Sequence, residues 1–295
     1  CFITSYFDPV IEGSLKKTER FSEPLYALPE DMVSIDIDEY AQAFPKWEKF
    51  SDSVLEQKTR SAVVRGRLVA SQGEGPAKVV PYYSRQEISV EDQLRGKGLE
   101  LLWVDPIDAF FLHIQGSGLV RLPNGKEVKV GYAGQNGHPY VAIGKFLFDI
   151  IPREEMSLQR IEAYLRTLEP KDLHAILNKN PSYIFFRKLK TNSVTFFGTE
   201  VVAGRTIATD YGYFPKGTLA FLQFERPHFS DEDDVTWEPT SRFVMDQDTG
   251  GAIRGPGRLD LYWGKGKEAK KYAGVMKSRG KLYYLVPKIK IDKQP

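Results

Sequence analysis

The chain has 295 residues, a length that predicts about two domains. Apolar residues make up 41% and charged residues 27%, which excludes wholesale disorder, a collagen-like repeat and a coiled coil. Lys plus Arg number 41 against 39 Asp plus Glu, a net charge of +2, so no basic face is expected and no nucleic-acid partner.

Phe2 to Val10 is a short apolar, aromatic run closed by Asp8-Pro9, and it reads as a strand. Residues 12–60 are polar and irregular, punctuated by Pro24, Pro29 and Pro45. Ser61 to Ser71 is rich in Val and Arg with rough alternation and predicts a strand. Ser84-Arg85-Gln86-Glu87 is a capping box opening a short helix toward Leu94. Phe110–Ile114, Gly118–Leu122 and Glu127–Tyr132 read as strands, the last two joined by the turn Pro123-Asn124-Gly125. Leu158, Ile161, Leu165 and Leu168 fall at helical spacing behind Ser157. Pro170 opens a second helix carrying Leu173, Ile176 and Leu177. From Tyr183 onward the pattern is β, with strands expected at Tyr183–Phe186, Ser193–Phe197, Arg205–Thr209, Thr218–Phe224, Arg242–Asp246, Arg258–Trp263 and Leu282–Val286. The change in composition near residue 190 is the one boundary the pattern supplies.

Cys1 is the single cysteine, so an intrachain disulfide and a multi-cysteine metal site are excluded. A first-position Cys can be the lipid acceptor left when a lipoprotein signal is removed. Cys1-Phe2-Ile3 runs straight into fold-like sequence without a polar tether, which favours a trimmed chain over a lipid anchor at Cys1. No apolar run approaches the roughly 18 residues that span a bilayer.

The four histidines form no His-Glu-x-x-His, and no phosphate loop or G-x-S-x-G elbow occurs. His138, in a Gly- and Asn-rich loop, is the least bland, yet a backbone hydrogen bond suits it better than catalysis. The segment Met245 to Asp260 is richer, with Asp246, Asp248 and Asp260 among four glycines that permit close approach of a ligand. A carboxyl at a strand end beside apolar rings can keep its proton near neutral pH and act as a general acid. Asp also caps turns, and the residues alone leave the two roles open. Asp248-Thr249-Gly250 is the triplet of aspartic proteases, but it occurs once, so a protease would have to pair two chains. Glycosidic cleavage also uses carboxyl groups. The 18 Phe, 15 Tyr and 4 Trp suit the apolar faces of sugar rings.

Further segments specify a family when taken in order. They are Ser5-Tyr6-Phe7-Asp8-Pro9-Val10, Asp108-Ala109-Phe110-Phe111, Gln115-Gly116-Ser117-Gly118, and Gly131-Tyr132-Ala133-Gly134-Gln135-Asn136-Gly137-His138. Next come Asn180-Pro181-Ser182-Tyr183, Ala208-Thr209-Asp210, Pro215-Lys216-Gly217-Thr218, and Asp248-Thr249-Gly250-Gly251-Ala252-Ile253-Arg254-Gly255, ending at Asp260, Glu268-Ala269 and Ala273-Gly274. With these the chain resembles the membrane-bound lytic murein transglycosylase A family, and its C-terminal part resembles the three-aspartate (3D) domain. Ser5 stands where the family often has Gly, and relatives have more sequence before Tyr6.

The resemblance implies a mainly β fold. A double-psi β-barrel would comprise residues 1–9 and 192–295. A second, inserted β-barrel domain with a few helices, residues 10–191, would form the other wall of a glycan groove. Asp210, Asp248 and Asp260 match the aspartates that name the domain. Asp260 matches the single catalytic acid/base, Asp248 is the second catalytic-site aspartate, matching one near it in the groove, and Asp210 is structural or supporting. Gln115, Ser117, Tyr132 and Asn136 are the candidates for sugar contacts. The implied reaction cleaves the β-1,4 bond between N-acetylmuramic acid and N-acetylglucosamine in peptidoglycan glycan strands. Asp260 first protonates the leaving oxygen. It then takes the proton of the muramoyl C6 hydroxyl, which closes a 1,6-anhydro ring. No cofactor and no metal is expected. A monomer at the periplasmic side of the bacterial envelope is expected, as an outer-membrane lipoprotein if Cys1 is lipidated. The alternatives are a non-catalytic glycan-binding envelope protein and a dimeric aspartic protease in which Asp248 is essential.

Overall fold

The structure is a computed structural model describing residues 1–37, 39, 43, 63–71, 73, 75–190, 195–230, 234–251 and 253–286. It is mainly β with a few helices. In chain order the first strands are β1 Phe2–Asp8, β2 Val10–Ser14, β3 Glu23–Tyr26, β4 Met32–Asp36, β5 Val63–Val69 and β6 Lys78–Pro81. Helix α1 Arg85–Ser89, β7 Glu100–Val104, α2 Pro106–Gln115, β8 Ser117–Arg121 and β9 Glu127–Gln135 follow. Helices α3 Leu158–Leu165 and α4 Pro170–Leu177 then lead to β10 Ile184–Lys188. The rest comprises β11 Thr206–Thr209, β12 Thr218–Phe229, β13 Val235–Asp248, β14 Arg258–Lys265, α5 Gly266–Val275, β15 Ser278–Arg279 and β16 Lys281–Tyr284.

The chain divides into two compact units. The first holds Cys1–Phe7, Val194–Gly264 and Glu268–Pro295. Its sheet runs β15-β1-β14-β11-β13-β12-β16. Only Gly280 separates β15, on β1 at one edge, from β16, on β12 at the other, so the sheet nearly closes into a barrel. Gly280 is dictated by that corner, because a Cβ there would sit 2.3 Å from the Gln223 carbonyl oxygen and 2.6 Å from Ile3 Cδ1. Alternation along the strands sends Ile3, Ile207, Leu222, Val244, Leu259 and Leu261 to one apolar core.

The second unit holds Asp8–Ser193 and Lys265–Lys267. Its sheets run β10-β9-β8-β2-β7-β3 and β4-β5-β6. The segment Phe110–Ile114, expected as a strand, is helical and lies inside α2. The Asp105 side chain caps the Ile107 and Asp108 N–H groups at 3.0 and 3.1 Å, Pro106 fills the first turn, and Gly116 ends the helix at φ 78°. These end signals outweigh the β propensity of two adjacent Phe. Ala109 and Leu112 of α2 pack with Leu25, Leu102, Val104 and Val120.

Helix α1 carries the expected capping box between Ser84 and Glu87 but stops at Ser89. α3 and α4 match their periodicity, and Leu165, Leu173 and Leu177 pack with Ile107, Phe110 and Ile143. The region expected to be irregular from residue 12 contains β2, β3 and β4. β3 is four residues long and buried on both faces, Glu23 and Pro24 included, so no apolar alternation marks it. Of the strand expected at Ser193–Phe197, residues 193 and 194 lie outside the described residues. Thr195–Gly198 is a turn closed by the Gly198 N–H on the Thr195 carbonyl at 2.9 Å. Residues 61 and 62 of the Ser61–Ser71 strand also lie outside them, as does Pro45.

A buried polar cluster ties this unit together. Arg85 donates to the Asn180 and Ser182 carbonyls at 3.0 and 2.6 Å and to His113 Nδ1 at 2.9 Å. Arginine only donates, so His113 accepts at Nδ1, and burial with the Arg85 charge holds its pKa well below the usual value. No described helix is long and apolar enough to cross a membrane.

Candidate active site

Three neighbouring strands of the barrel sheet, β13, β11 and β14, build the site. Ala208 on β11 lies opposite Asp248 on one side and Asp260 on the other. Residues directly opposite one another project to the same face, so both carboxyls stand on one face, two strand spacings or about 10 Å apart at the backbone. Alternation within β14 sends Leu259 and Leu261 to the core and Asp260 and Tyr262 to this face. The same rule applied to β1 places Thr4 and Tyr6 beside them, opposite Ile3.

The Asp260 side chain is 16% exposed. Thr4 Oγ1 donates a hydrogen bond to its Oδ1, and the Arg258 guanidinium lies 3.9 Å from that oxygen. Arg258 also donates to Thr4 Oγ1 at 3.3 Å. Burial raises the Asp260 pKa above the usual carboxylate range, against the opposing pull of Thr4 and Arg258. Both partners engage Oδ1, so a proton on this carboxyl belongs on Oδ2.

Asp248 is held differently. Its Oδ2 accepts from Tyr6 Oη at 2.8 Å, and its Oδ1 accepts from the Phe196 and Thr249 N–H groups, each at 2.9 Å. Burial raises this carboxyl too, and the three donors, with Lys216 farther off, work against it. The Tyr6 ring packs on Tyr262, centroids 5.1 Å apart.

Asp210 is buried and works as a clamp. Its Oδ1 accepts from the Gly212 N–H at 3.1 Å, and its Oδ2 accepts from the Gly255 N–H at 2.8 Å. It thereby ties the loop after β11 to the glycine-rich loop before β14.

Asp246, two residues before Asp248, faces the opposite way. The β11–β13 register slips between Ile207 and Ala208, leaving Gln247 as an extra residue. This bulge puts Asp246 opposite core-facing Ile207 and Asp248 opposite Ala208. Asp246 is 0% exposed and pairs with Lys216 Nζ at 2.8 Å. It also accepts from Thr209 Oγ1 at 2.6 Å and Tyr284 Oη at 2.5 Å.

The remaining expected site residues lie in the other unit. Tyr132 on β9 is exposed. Ser117 opens β8, and its hydroxyl donates to buried Asp8, which Lys129 also approaches at 3.7 Å. Gln115 is the half-buried last residue of α2. Asn136 does not suit a sugar contact. It is 1% exposed, its amide nitrogen donates to the Tyr83 and Pro181 carbonyls at 2.9 Å each, and its oxygen accepts from the Tyr183 N–H at 2.9 Å. His138 likewise binds the Tyr82 carbonyl at 2.8 Å. Among the described residues, no group of three or more His, Cys, Asp and Glu could hold a metal ion. Thr4 and Tyr262 were not singled out in the sequence, and Tyr6 and Lys216 stood there only within family segments, with no role of their own. The period-two pattern of β1 and β14 was the available signal for Thr4, Tyr6 and Tyr262.

Family models match in two blocks, the MltA specific insert domain over residues 2–187 and the 3D domain over residues 205–286. Membrane-bound lytic murein transglycosylase A of Vibrio cholerae is 33% identical over 209 residues, 68% of this chain and 55% of that protein. The crystal structure of the membrane-bound lytic murein transglycosylase from Agrobacterium tumefaciens superposes with a TM-score of 0.76 at 30% identity, covering 97% of this chain and 73% of that one. That of E. coli MltA with bound chitohexaose gives 0.71 at 24% identity, over 96% and 70%. The chain spans about half the length of the curated E. coli and V. cholerae relatives it matches. The two matched blocks fall on the aspartate-bearing sheet and on the inserted segment, and with them the chain belongs to the family of membrane-bound lytic murein transglycosylase A.

Proposed function

We propose that this chain is a peptidoglycan lytic transglycosylase. It cleaves the β-1,4 bond from N-acetylmuramic acid to N-acetylglucosamine and leaves a 1,6-anhydromuramoyl end. The observation that carries this reading is the contrast between the two carboxyls of one face. Asp248 is engaged by three donors, whereas both partners of Asp260 crowd a single oxygen. A buried carboxyl with its second oxygen unclaimed by those partners suits a general acid, a role worth roughly 10²–10⁴-fold in rate. Asp260 Oδ2 donates its proton to the leaving oxygen. The resulting carboxylate then accepts the proton of the muramoyl C6 hydroxyl as that oxygen bonds to C1. Proton and leaving group balance without water, so the nucleophilic or base carboxylate of ordinary glycosidases is unnecessary. Holding the hydroxyl beside C1 supplies an effective molarity reaching ~10⁵ M or more in well-oriented cases.

In this reading Asp210 and Asp248 support the loops around Asp260. Tyr132, Ser117 and Gln115 contribute sugar contacts. Residues 1–9 and 192–295 form a double-psi β-barrel, and residues 10–191 form the inserted domain. The protein acts as a monomer at the periplasmic side of the bacterial envelope. The chitohexaose bound by E. coli MltA is a β-1,4 glycan of the matching linkage type. The test is digestion of purified murein sacculi followed by mass spectrometry of the soluble muropeptides. Anhydro ends with the wild type and none with Asp260→Asn support the reading. Reducing ends indicate a hydrolase. Binding without release indicates a glycan-binding protein, and loss of peptide bonds abolished by Asp248→Asn indicates a protease.

A further inference from the structure

Two of the three aspartates do their visible work on loops, and each loop carries an exposed aromatic ring. The Phe196 N–H is fixed on Asp248 Oδ1 at 2.9 Å, and Phe196 is 63% exposed. Tyr211 directly follows Asp210, whose carboxylate holds the Gly212 and Gly255 N–H groups, and Tyr211 is 40% exposed. The two rings stack on each other, centroids 5.8 Å apart and planes 22° apart. The backbone next to each is held as well. The Phe197 N–H donates to the Gln247 carbonyl at 3.0 Å, and the Tyr213 N–H donates to the Asp210 carbonyl at 3.0 Å. Gly217, at φ 85°, has no side chain to displace the Phe197 ring, which a Cβ would meet at 3.0 Å. Water-facing rings stacked on each other and carried on anchored backbone offer an apolar surface to a ligand, and the anchoring lowers what binding has to order.

We propose that Phe196 and Tyr211 form a sugar-stacking platform for the glycan, with Asp248 and Asp210 as the clamps that hold it. The proposal rests on the glycan-cleaving reading and adds a subsite to it. The occupant is a pyranose ring of the β-1,4 chain other than those at the bond being cut. Continuity with the aspartate face argues for a sugar. The carboxyl that holds Phe196 shares that face with Asp260, about 10 Å away across two strand spacings. Sugar rings present flat C–H faces to aromatics while their hydroxyls stay in water, which suits a platform left this exposed. Asp210 and Asp248 are therefore positioning residues, and Asp260 is the one assigned to chemistry.

The test uses chitohexaose binding by titration calorimetry, in an Asp260→Asn background so that no turnover intervenes, and sacculus digestion in the wild-type background. Phe196→Leu with Tyr211→Leu keeps apolar bulk and removes the aromatic faces. The expected result is about a tenfold loss of chitohexaose affinity. KM for digestion should rise by a similar factor, with kcat changed less than twofold. Phe243→Leu, an equally exposed ring of the same unit that packs on Phe221, should change neither. Unchanged chitohexaose affinity in the double variant overturns the platform, even if digestion slows. An equal loss in Phe243→Leu also overturns it, since the effect would then not be local. If the wild type cuts no glycan but binds chitohexaose through Phe196 and Tyr211, the platform stands and the transglycosylase reading fails.

Discussion

The bulge at Gln247 buries Asp246 inside the barrel, and Lys216 is the group that makes this tolerable. Lys216 Nζ sits 2.8 Å from Asp246 Oδ1, with side chains 6% and 0% exposed, and it also donates to the Thr209 carbonyl at 3.0 Å. Lys216→Met keeps the stem and deletes the charge. Breaking a buried pair typically costs ~3–5 kcal/mol, because one charge stays buried and unpaired. Thr209 and Tyr284 still donate to the carboxylate, which argues for the lower end, ~3 kcal/mol. For a unit of roughly 100 residues that corresponds to a fall in Tm of about 12 °C or more. Urea titrations would give the free energies. Adding Asp246→Asn removes the orphaned charge, so the double variant should recover more than half of the loss. A cost below ~1 kcal/mol, typical of an exposed pair, would refute the reasoning. A double variant no better than the single one would do the same.

Asp260→Asn should abolish turnover yet raise Tm at neutral pH. Burial raises this carboxyl above its unfolded value, so its ionisation costs stability as pH rises above about 3.9, and the gain over wild type should vanish toward that pH in parallel melts. In wild type the rate should fall as pH rises through the raised Asp260 value, because the protonated form starts the reaction. In the inserted unit two shifts oppose each other. Burial raises Glu23 to about 7, so stability falls with pH from about 4.5 to 7, whereas His113, held neutral, makes it fall as pH drops below about 6.5. Glu23→Gln should expose the His113 slope as a clear loss of Tm between pH 6.5 and 5, and an unchanged profile would contradict this. Gly280→Ala should destabilise by ~1–3 kcal/mol through the clash at the barrel corner, read as a lowered urea midpoint. Asp248→Asn should leave measurable turnover with KM raised more than kcat is lowered, since its carboxylate holds Phe196 and Tyr6 and performs no proton transfer.

Much of the fold was legible where one local rule dominated. The capping box at Ser84, the Asn-Gly turn before β9 and the Pro170 helix start each specify their own geometry. Phe110–Ile114, with its two adjacent Phe, reads as a strand taken alone, while in the chain the Asp105 cap, Pro106 and the αL Gly116 make it part of helix α2. β3 was invisible because a strand buried on both faces shows no alternation, and its Glu23 accepts from the Ser89 hydroxyl at 2.5 Å while burial raises its pKa to about 7. At the site, Asp248 and Asp260 were legible as carboxyls among glycines. Their shared face depends on Ala208 lying opposite both, and the reversal of Asp246 depends on a one-residue register slip. Those are pairing facts between strands far apart in sequence, which a single chain does not display. Asn136 misled for a related reason, since an amide in a Gly-rich loop looks the same whether it faces a ligand or three backbone groups.

The central claim is that Asp260 delivers a proton and an internal hydroxyl, not water, attacks the sugar. Digesting sacculi in water enriched in heavy oxygen and weighing the released muropeptides tests it most directly. The account predicts anhydro ends with no heavy oxygen incorporated, and no release by Asp260→Asn. A reducing end carrying heavy oxygen, or full activity in Asp260→Asn, would contradict it.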